Sequence, residues 1–242
     1  MEKTLTHERS YLLFRESDKM RIVLRIGGSV IASPLNPALM SQYANILKEL
    51  RKRKHTTVTV VGGGSLAREM IAAAKQLGLD ENAQDELAIS ASRLFAQLLS
   101  KKLDGACGSV PSTVASAAKR LSESGLVVMG GLKPGMTTDT VAALVAKRTG
   151  ADLLVKATDQ EGVYDKDPKR HADAVKLDRL AFEDLSRVCV EDRHRAGIHQ
   201  IIDPEAIKLL KRDRIRVVVV NGFKPENVLL AAEGRKVGTL IE

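Results

Sequence analysis

The chain has 242 residues, 44% of them hydrophobic and 28% charged, so it can bury a substantial core, and an intrinsically disordered chain is excluded. Aromatic residues make up only 3% of the chain and tryptophan is absent, which favours an aliphatic core like that of buried parallel strands covered by helices. The formal net charge of +8 suits a polyanionic partner, but charge alone does not choose among a nucleotide, a nucleic acid and an anionic membrane surface.

Other features of the sequence narrow the choice of partner and compartment. Three tyrosines and four phenylalanines are spread along the chain, which argues against nucleic acid, because single-strand binding usually relies on clustered aromatic side chains. No apolar run approaches the length of a membrane span, so no membrane partner is expected. Cys107 and Cys189 lie outside any C-x-x-C pattern, which predicts neither a disulfide framework nor a zinc site and favours the reducing cytoplasm. We interpret residues 1–19 as an N-terminal leader that lacks the apolar run of a secretory signal.

Short strands that end in glycine dominate the predicted elements. A strand at residues 21–26 runs into Gly27 and Gly28, and a helix at 39–52 follows. A second strand at 57–61 ends in three glycines before a helix at 65–77. The later predicted elements are helices at residues 85–103 and 113–122, a strand at 126–129 followed by Gly130 and Gly131, a helix at 139–147, a strand at 153–156, a helix that starts at Asp203 and Pro204, and a strand at 216–220.

This alternation of strands and helices predicts an α/β fold with a mostly parallel sheet and right-handed crossovers. In such a sheet the ligand site lies beyond the carboxyl ends of the strands. Because all the glycine turns follow strands, we expect them to gather at that one edge.

The glycine turns indicate phosphate binding. Glycine between a strand and a helix lets backbone N–H groups approach a phosphate closely, and the helix N-terminus adds a partial positive charge. Three such turns, at residues 27–28, 62–64 and 130–131, favour this interpretation over three unrelated structural turns. Neither the G-x-x-x-x-G-K-[ST] loop nor a G-x-G-x-x-G motif occurs, so the common mononucleotide and dinucleotide folds are not supported.

Arg68 is predicted in the first turn of the helix after the triple glycine, where a cation opposes the helix dipole at a cost of about 0.3–1 kcal/mol. An anion bound at that helix end would explain its position. A surface arginine paired with Glu69 or Asp85 would explain it equally well.

Five motifs resemble those of archaeal uridylate kinases in the amino acid kinase superfamily, in order and approximate spacing. They are IGGSV, VVGGGSLAR, VMGGLKPGMTTDTVAAL, TDQEGVYDKDP and IIDPEAIKLL, and the resemblance covers nearly all of residues 20–242. It implies a three-layer sandwich with a central, mostly parallel sheet, an acceptor lobe at about 20–150 and an ATP lobe at about 151–242. It also implies transfer of the γ-phosphate of ATP to UMP by a homo-oligomer, expected to be a hexamer.

The same resemblance implies positions for both nucleotides. Asp85 would accept hydrogen bonds from the UMP ribose, although from the sequence alone Asp85 and Thr138 are more typical of helix N-caps, and GVYDKDP of a turn. The expected ATP residues are Gly28, Ser29, Gly64 and Arg68 at the phosphates, with Thr158, Tyr164 and Asp167 at the adenine and ribose. The expected UMP residues are Gly63, Asp85, Leu132, Lys133, Pro134, Gly135, Met136, Thr137 and Thr138.

Phosphoryl transfer requires alignment and charge compensation more than covalent chemistry, so cations are the catalytic candidates. Lys156 matches a lysine that bacterial relatives place at the transferring phosphate, against the alternative of a lysine that reaches solvent from a strand end. Asp139 matches an acid that orients basic side chains, although it could simply complement a helix N-terminus. Arg25 stands where bacterial relatives have lysine, and it stays outside the predicted catalytic pair because a guanidinium has a different geometry. Mg²⁺ is expected to bind mainly through nucleotide phosphates and water, and no protein metal site is predicted.

Two other functions remain open at this point. An isopentenyl phosphate kinase shares the GGGS turn but usually continues with F-G-H, whereas Leu66, Ala67 and Arg68 follow here without a histidine. A nucleotide-binding regulator without catalysis would fit the departures at Arg25 and Leu132, but the retention of Lys156 and Asp139 argues against it.

Overall fold

The longer strands form at runs rich in β-branched and aliphatic residues, as expected of strands that are covered on both faces. The computed structural model describes residues 19–103, 108–185 and 201–242; residues 1–18 of the predicted leader and both cysteines lie outside these ranges. The strands are β1 (Arg21–Ile26), β2 (Thr56–Val61), β3 (Leu126–Met129), β4 (Leu153–Thr158), β5 (Val163–Tyr164), β6 (Lys176–Leu177), β7 (Arg179–Leu180), β8 (Arg216–Asn221) and β9 (Thr239–Ile241).

Seven of these strands form one sheet in the order β3-β2-β1-β4-β8-β9-β7. Its neighbouring strands run parallel except for β8 and β9, which are antiparallel, so the sheet is mostly parallel as predicted. The two remaining strands, β5 and β6, pair as a small antiparallel hairpin.

Side-chain caps fix where several helices begin. Asn36 accepts from Leu39 N at the first long helix, and Thr113 forms a capping box with Ser116. The helices with both ends in the described ranges are α1 (Gly28–Ile31), α2 (Pro37–Lys52), α3 (Gly64–Gln76), α4 (Glu81–Lys102), α5 (Val114–Ser124), α6 (Thr138–Thr149), α7 (Pro204–Arg212) and α8 (Glu226–Ala232).

At two of these helices the N-cap is not the residue that the sequence suggested. Asp80 caps α4 by accepting from Ala83 N, so the helix begins four residues before the predicted start and Asp85 lies inside it. Thr137 caps α6 by accepting from Thr140 N, which makes Thr138 the first helical residue instead of the cap. Both side chains are therefore free of the capping role that the sequence suggested.

The core lies in two layers, one on each face of the sheet. On one face Leu24 packs in a cluster with Leu47 of α2 and Leu99 of α4. On the other face Val23 packs in a cluster with Val141 of α6. Helices α2, α4 and α8 contribute to the first cluster and α5, α6 and α7 to the second, so the predicted three-layer sandwich is confirmed.

The order of the strands determines where a ligand can bind. After β1 the chain adds β2 and β3 on one side, and it then returns to place β4 on the other side of β1. Helices that leave neighbouring parallel strands in opposite directions open a crevice at their carboxyl ends, and ligands of α/β proteins bind there. In this fold that crevice lies between the ends of β1 and β4.

Candidate active site

The register of the sheet places two cationic side chains next to each other at the crevice. Arg25 of β1 and Lys156 of β4 are direct neighbours across the strand pair, and both point to the face that α6 covers. Asp139, in the first turn of α6, lies between them: Arg25 Nε is 2.7 Å from Asp139 Oδ1, and Lys156 Nζ donates to Asp139 Oδ2. The three side chains are only 17%, 7% and 11% exposed for Arg25, Lys156 and Asp139 respectively.

The electrostatics of this cluster favour an incoming anion. Burial alone would raise the pKa of Asp139, but the charges of Arg25 and Lys156 outweigh burial and hold this pKa below its ordinary value. Burial lowers the pKa of Lys156, and Arg25 adds to this effect, while Asp139 opposes both. One carboxylate thus serves two cations beside a helix N-terminus, which leaves an excess of positive charge at the site.

The guanidinium of Arg25 reaches both of the predicted phosphate positions. Its Nε is close to Asp139 Oδ1, but the pair lacks hydrogen-bond alignment. Arg25 Nη2 donates instead to Thr138 Oγ1 at 3.1 Å, and a Cβ placed on Gly27 would lie 3.0 Å from Arg25 Nη1. Arg25 therefore lies between the first glycine turn and the start of α6. Arg25 lies outside the predicted catalytic pair, and its pairing with Lys156 across the two strands is what identifies it.

The first two glycine turns pack directly against each other. A Cβ on Gly28 would lie 2.2 Å from Gly64 N, and Gly64 itself has φ +59° and would place a Cβ 2.1 Å from Ala32 O. The close packing of the backbone therefore requires glycine at these positions, whether or not a ligand binds there. The packing brings the predicted phosphate-binding backbone of both turns together, and half-buried Ser29 lies in α1 beside them.

Arg68 is exposed, and its Nη2 donates to Ser33 Oγ at 3.1 Å. The suggested partners Glu69 and Asp85 are therefore wrong. Because α3 begins at Gly64, Arg68 is its fifth residue and lies just beyond the first turn, so its opposition to the helix dipole is weaker than predicted.

The predicted UMP residues lie around one face of α4. Asp85 Oδ2 accepts from Gly135 N at 2.7 Å, so Asp85 contacts the loop between β3 and α6. Gly63 packs against α4 close to Ala88, where a Cβ would lie 3.2 Å from Ala88 O. The structure thus brings Gly63, Asp85 and the 132–138 loop together.

Asp203 ties the starts of α6 and α7 together and was missed as a site residue. It caps α7 by accepting from Ala206 N, and it also accepts from Thr137 Oγ1 and from Thr140 Oγ1, the latter at 2.9 Å. The hydroxyl of Thr137 is therefore occupied within the protein. Thr138 Oγ1 accepts from Arg25 and keeps its own proton to donate to a ligand.

The predicted adenine and ribose residues lie at the end of β4 and on the adjoining hairpin. Thr158 ends β4, half-buried Tyr164 belongs to β5, and Asp167 Oδ1 accepts from Lys169 N at 2.9 Å in the turn that follows. Thr239 of β9 fixes the hairpin by accepting from Val163 N at 2.8 Å. Thr158 thus lies at the carboxyl end of β4 beside the crevice, and Tyr164 and Asp167 follow it closely along the chain.

Within residues 19–103, 108–185 and 201–242 no group of three or more His, Cys, Asp or Glu side chains could hold a metal ion. In the same ranges no helix combines the length and the apolar character needed to cross a membrane.

Residues 20–221 match the amino acid kinase family. The uridylate kinase of Methanocaldococcus jannaschii is 39% identical over 226 residues, covering 92% of this chain and 100% of that protein. The uridylate kinase of Hyperthermus butylicus is 41% identical over 221 residues, covering 91% of this chain and 97% of that one. Among solved structures, uridylate kinase from Archaeoglobus fulgidus superposes with a TM-score of 0.82 at 38% identity, covering 92% of this chain and 100% of that chain.

Proposed function

The chain belongs to the amino acid kinase family, and we infer that it is a uridylate kinase, which transfers the γ-phosphate of ATP to UMP and forms UDP and ADP in pyrimidine nucleotide biosynthesis. The observation that carries this function is the Arg25–Asp139–Lys156 cluster at the crevice. The chain that contains it is 39–41% identical to two uridylate kinases over nearly its whole length. The enzyme is accordingly a nucleoside monophosphate kinase.

The acceptor phosphate of UMP binds at the start of α6. The first N–H groups of a helix have no partners within the helix, so they can donate to a phosphate, and the dipole adds to the attraction. The Thr138 hydroxyl provides one more donor at the same position. The loop residues from Leu132 to Thr137 surround the nucleotide, and Asp85 accepts from its ribose hydroxyls.

The phosphates of ATP lie against the two interlocked glycine turns, at Gly28, Ser29 and Gly64, with Arg68 at the outer rim. Its adenine and ribose are placed beside Thr158, Tyr164 and Asp167. This arrangement corresponds to an acceptor lobe at about residues 20–150 and an ATP lobe at about 151–242.

Lys156 and Arg25 compensate the charge that spreads over the transferred group. Lys156 contacts the transferring phosphate, and Arg25 lies between donor and acceptor phosphates. Asp139 keeps both cations oriented, since each of its oxygens faces one of them. The contacts with Asp139 fix the positions of the two cations, so little reorganisation is needed during transfer.

Mg²⁺ bound to ATP neutralises part of the phosphate charge and orients the phosphates. The carboxylate nearest the reaction is Asp139, and cations occupy both of its oxygens. This supports binding of the ion mainly through phosphate oxygens and water.

The proposal includes a cytoplasmic homo-oligomer, and the resemblance implies a hexamer. An apolar groove on the outer surface of α3 and α4 supports self-association; it is lined by Leu66, Met70, Leu87, Ala91 and Leu94. Contiguous exposed apolar surface of this kind often marks a protein interface.

An acceptor screen tests the function. Purified protein with ATP and Mg²⁺ is given UMP, CMP or isopentenyl phosphate, and ADP release is measured with coupling enzymes. We expect the highest kcat/KM for UMP. A clear preference for isopentenyl phosphate would identify the other kinase, and nucleotide binding without ADP release would identify a regulator.

A further inference from the structure

The loop that precedes α6 makes almost all of its polar contacts with one helix. Arg93 of α4 donates from Nε to Gly131 O at 2.9 Å and from Nη2 to Leu132 O at 2.9 Å. Ser92 Oγ accepts from Gly131 N at 2.8 Å. Eight residues earlier on α4, Asp85 holds Gly135 N. The helix therefore holds the loop at both of its ends.

The loop lies directly on the backbone of α4. A Cβ on Gly130 would lie 2.7 Å from Arg93 N, so only glycine fits at this position. Lys133 and Gly135 are exposed, and Gly135 has φ +72°, so the middle of the loop receives little support from packing. Leu132 and Met136 pack against the core on either side, while the conformation of residues 133–135 between them depends on the contacts with α4.

Arg93 has the chemistry for this task. Its two N–H groups reach two consecutive carbonyls, and a planar guanidinium can do this in a fixed geometry that an ammonium cannot reproduce. No ion pair joins Arg93 to an acid anywhere in the described part of the chain. Its hydrogen bonds to the carbonyls are charge-assisted and hence stronger than neutral ones. They also polarise the two peptide groups, which makes the following N–H groups better donors to an anion.

We propose that Arg93 is a positioning residue for UMP: it fixes the loop so that the loop N–H groups and the start of α6 face the acceptor phosphate. This inference rests on the proposed function. Asp85 has a similar positioning role beside the ribose of UMP. Its Oδ2 holds Gly135, and its Oδ1 has no hydrogen-bond partner within the described ranges, so Oδ1 can accept from the ribose while the loop stays in place.

The experiment compares Arg93→Ala, Arg93→Gln and Arg93→Lys with the wild type in steady-state kinetics for both substrates. The loss of both charge-assisted hydrogen bonds predicts a fall in kcat/KM for UMP of at least about tenfold. KM for ATP should stay within about twofold, because no ATP residue contacts Arg93. Arg93→Lys should recover part of the loss, since it retains one charged donor.

Lys101→Ala is the matched control, since Lys101 is an exposed cation on the same helix, far from the loop. It should leave both substrates unaffected. Melting temperatures identify any variant that fails to fold, in which case Arg93→Gln and Arg93→Lys carry the test. Equal rises in both KM values, or no change in either, would overturn the positioning role. If the wild type itself does not phosphorylate UMP, the proposed function fails first, which separates the two conclusions.

Discussion

Lys156 is the side chain from which we expect the largest contribution to the rate. If its ammonium binds the transferring group as charge redistributes, Lys156→Met should lower kcat and kcat/KM together and change either KM only modestly. Loss of one preorganised charge contact typically costs about 100- to 1000-fold in rate. Steady-state kinetics with both substrates provide the measurement.

Lys147→Met is a suitable control, because Lys147 is a half-exposed lysine at the other end of α6. It should retain wild-type turnover. Near-normal turnover of Lys156→Met at saturating substrates would contradict the assignment and leave Arg25 as the principal cation.

The lowered pKa of Lys156 predicts the pH dependence of activity. The native pKa lies below the ordinary lysine value of about 10.4, so the free enzyme loses this charge at a lower pH than an exposed lysine would. We therefore expect kcat/KM to fall as pH rises through the lowered pKa. The effect on stability has the opposite sign. Between the native and the unfolded pKa of Lys156, the unfolded chain binds more protons than the native chain. The contribution of Lys156 to the free energy of unfolding therefore increases with pH in this range.

Lys156→Arg isolates this effect, because arginine stays charged throughout the accessible range. Its pH profile of kcat/KM should lose the basic limb even where the absolute rate is reduced. An unchanged basic limb in this variant would assign the titration to another group.

For single residues, the sequence predicted Lys156 and Asp139 as the catalytic pair, but it did not predict that Arg25 joins them in one cluster. Arg25 was set aside because it differs from the lysine of bacterial relatives, and only the pairing of β1 with β4 shows that it shares Asp139 with Lys156. Arg93 was not considered at all. Its contacts are to backbone carbonyls 38 and 39 residues away, and no motif records such contacts.

Among the elements, β2 contains three buried hydroxyls, those of Thr56, Thr57 and Thr59, that have no hydrogen-bond partner among the described residues. Thr57 and Thr59 are also buried as whole residues. Valine has nearly the same shape as threonine, so Thr59→Val removes an unpaired polar group without opening a cavity. We expect the free energy of unfolding to rise by about 1 kcal/mol, the lower end of the cost of such a group. Urea denaturation monitored by circular dichroism measures the change.

Thr140→Val provides the contrast, since this buried hydroxyl donates to Asp203 and joins α6 to α7. It should destabilise the protein by about 1–3 kcal/mol. If both substitutions shift stability in the same direction, the unpaired state of Thr59 is not the cause.

The elements themselves were largely predictable, and the exceptions have local causes. Buried strands can be recognised in the sequence as aliphatic runs, and both ends of the strand at residues 21–26 were predicted correctly. The start of α4 was misplaced because Asp80 was overlooked as its cap in favour of the functionally interesting Asp85. Helix ends depend on one or two capping bonds, which makes them the least determined by hydrophobic pattern.

For the whole molecule, the alternation of strands and helices was enough to predict a mostly parallel sheet covered by helices, whereas it did not predict the order of the strands. The return of β4 to the side of β1 is a long-range pairing that periodicity does not encode. The crevice and the cation pair both result from that return.

The apolar groove on α3 and α4 allows a test of assembly. If a second copy covers this groove, Leu94→Glu should reduce the molar mass seen by light scattering, because it places a charge within the interface. Leu94 is 54% exposed, so the change should not disturb the core. Val175→Glu, at a similarly exposed apolar residue on the β5–β6 hairpin, should leave the mass unchanged. Equal masses for Leu94→Glu and wild type would move the interface elsewhere.

The register between β1 and β4 has a consequence for how such a chain can change over evolutionary time. A one-residue slip of β4 would turn Lys156 to the opposite face of the sheet, away from Asp139. Asp152, in the short connection between α6 and β4, holds the register by accepting from Arg21 N at 2.7 Å and donating to Arg21 O at 2.8 Å. Gain or loss of a single codon in this connection would therefore separate the two cations in one step. Lineages that keep the activity should vary in length at the surface turn of residues 165–175 while the connection at residues 150–152 stays constant.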